Sequence, residues 1–139
     1  VTVLGIDPGA HTGVATYIGG KLHSLQTIEP HRLPEVIRTA GAKRVIFEDS
    51  RLQSHAWTTV KSRPAALKMA RNVGEVDAWC KLIVAVCGDL GIPAHGISPK
   101  GKGAKLNAVQ FAKMTGWSAR SNEHERDAAS VSWMYRGVA

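Results

Sequence analysis

The stretch Val1-Thr2-Val3-Leu4-Gly5-Ile6-Asp7-Pro8-Gly9 opens the chain, with Gly13-Val14-Ala15-Thr16-Tyr17-Ile18 close behind. Residues 1–7 are β-branched and alternating, which predicts a strand that Pro8-Gly9 ends. Residues 13–18 and 21–27 read as two more short strands. Gly19-Gly20 between them is a strong two-residue hairpin signal. A short helix over 33–40 is closed by Gly41, and the apolar run 44–47 reads as a fourth strand ending in Glu48-Asp49.

Residues 50–63 have no clean period and read as an exposed loop. From Pro64 to about Leu90 the pattern is helical, with Gly91 as its stop. Val73, Val76, Cys80, Ile83, Cys87 and Leu90 form one apolar stripe; Trp79, Leu82 and Val86 widen it onto a second. A helix apolar on two sides is either plain core or shared with another subunit. A fifth strand is expected over 92–97, a Pro/Gly/Lys loop over 98–103, a helix over 104–115 and a last helix from Glu123 or His124 to about Arg136. The order is three strands, helix, strand, long helix, strand, helix, helix. It predicts one α/β domain over 1–139, with a mixed five-stranded sheet of three antiparallel strands and then two more, flanked by helices.

Length and composition agree. The chain has 139 residues, 44% hydrophobic and 21% charged, which suits one packed domain and excludes a disordered chain. It holds no apolar run long enough for a membrane span. Cys80 and Cys87 stand seven apart, about 10 Å along a helix. That exceeds the reach of a disulfide, and the CxxC spacing of a zinc site is absent. They read as buried thiols of a reducing compartment, and the expected location is the cytoplasm.

The net charge of +7 is segregated. Residues 50–71 carry Arg51, Lys61, Arg63, Lys68 and Arg71 with no acid. Residues 98–120 carry Lys100, Lys102, Lys105, Lys113 and Arg120 with no acid. These two stretches hold ten positive charges, and the rest of the chain is left at −3. Such a distribution suits a polyanionic partner, or simply a solvated basic face.

Three acids stand at element ends. Asp7 ends the first strand, Glu48 the fourth, and Asp127 lies one turn into the last helix with His124 three residues earlier on the same face. If strands one and four are neighbours, their C-terminal ends lie side by side, where α/β folds place their sites. A helix across those ends brings in His124 and Asp127. Clustered carboxylates repel one another unless a cation neutralises them, and oxygen ligands suit Mg²⁺ or Mn²⁺. Each residue also has an ordinary use: Asp7 as a turn former, Glu48 in a surface ion pair, His124 and Asp127 at a helix start.

The ordered set resembles a known family. Gly5-Ile6-Asp7-Pro8-Gly9 with Gly13-Val14-Ala15 is similar to the opening of RuvC-type Holliday-junction resolvases, of the RNase H-like superfamily. Val45-Ile46-Phe47-Glu48 resembles that family's second acidic strand. Ala66-Leu67-Lys68 with Gly74 resembles the start of its long helix, and Ser98-Pro99-Lys100, Ala104-Lys105 and Val109 its basic loop and following helix. His124, Asp127, Ala128 and Ala129 resemble its final metal-binding helix.

The resemblance implies that Asp7, Glu48, His124 and Asp127 bind two Mg²⁺ ions, with Mn²⁺ as a substitute. Glu123 and Glu125 flank His124 and leave the third and fourth ligands open. The implied reaction is phosphodiester hydrolysis in four-way junctions and related branched DNA, leaving a 5′-phosphate and a 3′-hydroxyl. A homodimer is implied, with the long helix and its Trp79, Leu82 and Val86 at the interface. Lys105, at a helix start, would approach the scissile phosphate, and Trp57 would be an aromatic wedge. Arg51, Lys61, Arg63, Lys68, Arg71, Lys100, Lys102 and Arg120 would contact DNA. Glu75 and Asp77, mid-helix beside Gly74, could support the site or lie at the dimer interface, with a structural role the favoured reading, and Gly74 is read as the site of a close helix crossing. The chain is short for the family, which suggests a phage or prophage type. An RNase H-like nuclease acting on RNA or RNA–DNA hybrids (YqgF-like) and a non-catalytic junction-binding module are the alternatives.

Overall fold

The computed structural model describes residues 1–53, 62–101 and 104–137. Trp57, Lys61 and Lys102 lie outside the described residues. The sheet contains β1 (Thr2–Asp7), β2 (Thr12–Ile18), β3 (Lys21–Ile28), β4 (Arg44–Glu48) and β5 (Ala94–Ile97), in the order β3-β2-β1-β4-β5. The first three form an antiparallel meander. β4 runs parallel to β1, and β5 parallel to β4. Gly19 and Gly20 turn the β2–β3 hairpin at φ of 58° and 79°, the left-handed pair that a two-residue turn of matching twist requires.

Helices cover both faces. α1 (Leu33–Ala40) and α2 (Arg63–Leu90) lie on one, and α3 (Ala108–Thr115) and α4 (Glu123–Ser132) on the other. Successive strand residues point to opposite faces, so β1 and β4 feed two cores. Leu4, Ile6, Val45 and Phe47 pack with Leu33, Ile37, Cys80, Ile83 and Cys87. Val3 and Ile46 pack with Tyr17, Phe111, Ala128 and Ala129. Both cysteines are free and buried, and burial pushes both thiols up, Cys87 to about 11.

α4 is seated on the sheet at backbone height. A Cβ at Gly5 would lie 2.0 Å from Ser132 Oγ and 2.7 Å from the Ala128 carbonyl; one at Gly13 would lie 1.9 Å from the His124 carbonyl. Only hydrogen fits at either position. Tyr17 anchors the same helix by donating its hydroxyl to the Ala129 carbonyl at 2.8 Å. Burial raises that phenol to about 12, so it stays a donor.

Several expected boundaries move. The helix expected from 104 begins at Ala108, because Asn107 and Gln110 form a reciprocal cap at 2.9 and 3.0 Å. Lys105 therefore lies in the run before the cap, not in a first turn. β5 starts at Ala94, two residues late, and the last helix tightens after Ser132 into a 3₁₀ turn over Trp133–Tyr135. The loop expected after Glu48 opens with a 3₁₀ turn over Ser50–Leu52. Leu82 and Val86 are partly buried against the first core, so the core takes up part of the second stripe. A Cβ at Gly74 would meet nothing within 4 Å, so there is no close crossing there among the described residues.

These contacts predict opposite outcomes for two glycines. Gly13→Ala should lower the urea-unfolding free energy by at least about 2 kcal/mol, through forced displacement of α4. Gly74→Ala should raise it by roughly 0.5–1 kcal/mol, the ordinary gain of alanine in an open helix position.

Candidate active site at the carboxyl ends of β1 and β4

The register sets the site. Ile6 pairs with Phe47, so Asp7 and Glu48 come next on adjacent parallel strands. Val3 and Ile46 point to the α4 side of the sheet, and alternation puts Asp7 and Glu48 on that side too. On the other flank of β1, Asp7 pairs with Gly13, over which the His124 carbonyl lies. The first turn of α4 thus covers the end of β1. Asp127 is buried there and His124 half-buried.

Two acids near α4's start have other tasks. Glu125 accepts from the Asn122 backbone N–H, and Asn122 Oδ1 accepts from the Glu125 N–H, both at 2.9 Å. This reciprocal cap starts α4 and engages Glu125. Glu123 accepts from Lys105 Nζ, and that ammonium also lies 3.5 Å from Asp127 Oδ2. Hydrogen bonding to Lys105 lowers the Glu123 carboxyl, and the bond to Glu123 raises the lysine.

Sequence reasoning missed His11. Thr12 Oγ1 donates to the Gly9 carbonyl at 2.8 Å and closes the turn after Asp7. The turn brings the His11 ring to 5.3 Å from that of His124, tilted by 35°. Only spatial proximity reveals this pair; spacing carried no signal for it. Glu75 lines a cleft of about 260 Å³ beside the same turn, with Ala10, Asn72 and Val76.

Behind Glu48 lies a second network. Asp49 is buried and receives Arg51 bidentately, Nε to Oδ1 and Nη2 to Oδ2, both at 2.9 Å. The Arg51 bond holds the Asp49 carboxyl below the usual aspartate range. A Cβ at Gly96 would lie 2.6 Å from Asp49 Oδ2, so β5 makes room for this carboxylate. Ser50 Oγ donates to Asp77 Oδ1 at 2.6 Å, tying the turn to α2, and the Cys80 thiol faces the Glu48 carbonyl at 3.6 Å. Arg51 is exposed, but Asp49 engages its Nε and Nη2, so only the remainder of its guanidinium is open to a phosphate.

The other predicted DNA contacts divide simply. Arg63, Lys68 and Arg71 are exposed along the first half of α2, and Lys100 and Arg120 are exposed on their loops. Trp79 is half-buried, and its indole N–H has no hydrogen-bond partner among the described residues.

The donor chemistry fits a hard divalent cation: the carboxyl ends of β1 and β4 bring Asp7 and Glu48, and the α4 turn over that end brings His124 and Asp127, three carboxylates and one imidazole. Among the described residues, no three Asp, Glu, His or Cys side chains stand close enough to grip an ion as they are placed. The Lys105 ammonium against Asp127 is the cation that the mouth holds in this arrangement.

The architecture is that of the RNase H-like class: a mixed five-stranded sheet, three strands antiparallel and two joined in parallel, with helices on both faces. No protein-family profile matches the sequence. No curated protein matches it either. Nine solved chains match the fold. One of them is T. thermophilus RuvC in complex with Holliday junction substrate, at a TM-score of 0.66 and 17% identity, covering 97% of this chain and 92% of that one. Such an identity speaks for the fold alone. The coverage gives no support to a trimmed phage type.

The network behind Glu48 predicts an acid-sensitive contribution to stability. Asp49→Asn should cost about 1–3 kcal/mol at neutral pH, through the weakened pair with Arg51. A carboxyl lowered in the folded state stabilises above the ordinary aspartate pKa of about 3.9, and that gain is lost as pH falls through the lower folded value. The difference between wild type and Asp49→Asn, read from urea midpoints, should therefore narrow below about pH 4. A gap that is constant down to pH 2 would contradict the assignment.

Proposed function

We propose that this chain is a divalent-metal-dependent endonuclease that nicks branched DNA, four-way junctions foremost, as a homodimer. The observation that carries the reading is the register of β1 and β4. It sets Asp7 beside Glu48 on the face that α4 covers, within a fold shared with a junction-bound RuvC.

In this reading Asp7, Glu48, Asp127 and His124 hold two Mg²⁺ or Mn²⁺ ions. Bound there, such ions supply charge stabilisation to the entering and leaving oxygens of a phosphodiester displacement. The protein supplies the rest. Asp7 and Glu48 are fixed by strand pairing, and the His11 ring restricts His124. Lys105, at the mouth, meets the phosphate whose ester bond is cut. Arg63, Lys68, Arg71, Lys100 and Arg120 hold flanking phosphates, with Lys61 and Lys102 adding charge by sequence. The products are a 5′-phosphate and a 3′-hydroxyl.

A second copy would sit along α2 on the side that carries Trp79, Leu82 and Val86, each only partly buried in the single chain. Pairing would give two sites for the two opposed strands of a junction. Trp57 would stack on an unpaired base, a contact worth roughly 1–3 kcal/mol.

The test is a panel of four-way, Y-shaped and linear duplex DNA and an RNA–DNA hybrid, each with Mg²⁺ or Mn²⁺. The four-way junction should be nicked fastest. Asp7→Asn should abolish nicking with junction affinity nearly intact, because that affinity comes mostly from Lys and Arg. No nicking of branched DNA with either ion would overturn the reading, and faster cutting of the hybrid would move the substrate to RNA. Sedimentation that finds only monomer would remove the paired sites.

A further inference from the structure

The lysine at the mouth is held by more than one group. Glu123 and Asp127 stand one turn apart on α4, and the Lys105 ammonium reaches both, bonding to the exposed Glu123 and lying 3.5 Å from the buried Asp127. The segment that carries Lys105 is fixed from the next residue. Arg126 Nε donates to the Leu106 carbonyl at 3.0 Å, while its Nη1 donates to the Ser121 carbonyl at 2.8 Å and to Ser121 Oγ at 3.1 Å. One turn of α4 thus provides the buried acid, the exposed acid and the arginine that set where Lys105 stands.

Two positive charges compete for Asp127. An ammonium resting on that carboxylate opposes a divalent cation, by direct repulsion and by engaging the oxygens. The Arg126 bond to Leu106 keeps the Lys105 backbone beside α4, so the ammonium stays within reach of both acids. A second acceptor within reach of the ammonium, and on the solvent side, resolves the conflict.

We infer that Glu123 is a positioning residue that draws the Lys105 ammonium off Asp127, opening the Asp127 carboxylate to a divalent cation while keeping the lysine at the mouth. This rests on the reading of Asp127 as a metal ligand. Glu123 acts through Lys105: it is neither a ligand nor a general source of negative field. Its effect therefore vanishes when the lysine loses its charge.

The experiment is a double-mutant cycle on the full chain without DNA, with Mn²⁺ affinity measured by titration calorimetry. Glu123→Gln should weaken Mn²⁺ binding roughly two- to fivefold, the range of one exposed ion pair. In a Lys105→Gln background the same change should leave the affinity unaltered. Equal losses in both backgrounds overturn the inference, because Glu123 then acts as a ligand or as bulk charge. An unchanged affinity for Glu123→Gln alone overturns it as well. Asp127→Asn separates the two levels. If the wild type takes up no Mn²⁺, or Asp127→Asn binds it like wild type, the metal reading fails and this inference with it. If Asp127→Asn abolishes uptake and the cycle is additive, only the role of Glu123 falls. Both Glu123 and Lys105 are exposed, so circular dichroism should match wild type for all these surface variants.

Discussion

The contact between the α4 backbone and the sheet is the constraint on which the rest depends. Gly5 and Gly13 lack the one atom that would hold the helix away. With α4 that low, Asp127, Ala128, Ala129, Val131 and Ser132 are all buried, and Tyr17 reaches the helix carbonyls from below. Protein interiors respond to a single methyl group, so this seating defines the height of Asp127 above the strand ends. The parallel pairing of β1 and β4 supplies the other coordinate, by bringing two acid-terminated strands to the same level.

Around this frame, charges are allotted to particular tasks. Arg51 belongs to Asp49, Arg126 to the Leu106 and Ser121 carbonyls, and Lys105 to the two acids on α4. Counting basic residues along the chain therefore overstates the surface offered to a polyanion. Among the described residues, Arg51 and Lys105 are exposed but paired, and the other exposed cations of the two acid-free stretches lie on α2's first half and at Lys100, Lys113 and Arg120. The distinction matters because phosphate contacts set affinity and its salt dependence, whereas internal pairs set stability.

Much of the fold was legible in the sequence because local signals and tertiary demands coincide. The Gly19-Gly20 turn, the alternation in residues 1–7 and the Gly41 and Gly91 stops are all local. The acids of the candidate site were legible for the same reason: Asp7 and Glu48 end strands, and Asp127 sits one turn into a capped helix. The start of α3 was misplaced because an alanine-lysine-leucine run suits a helix, while Asn107 and Gln110 offer a better first turn three residues on. The Asp49–Arg51 pair was missed because charge alone does not reveal a partner two residues away in a folded turn. The His11–His124 contact joins residues distant in sequence, and periodicity cannot report it. Leu82 and Val86 were ambiguous because an apolar helix position looks the same whether its own core or a second chain covers it.

α2 runs for 28 residues, about 42 Å. Its fully buried residues, Cys80, Ile83 and Cys87, all fall in the second half. The first turn carries no acid, and Arg63 stands at the positive end of the helix dipole, an unfavourable placement. Helices draw most of their stability from tertiary packing, so protection against amide exchange should be graded along this rod. The end bearing Arg63, Lys68 and Arg71 opens at low cost, and the end near Gly91 opens only with the domain as a whole.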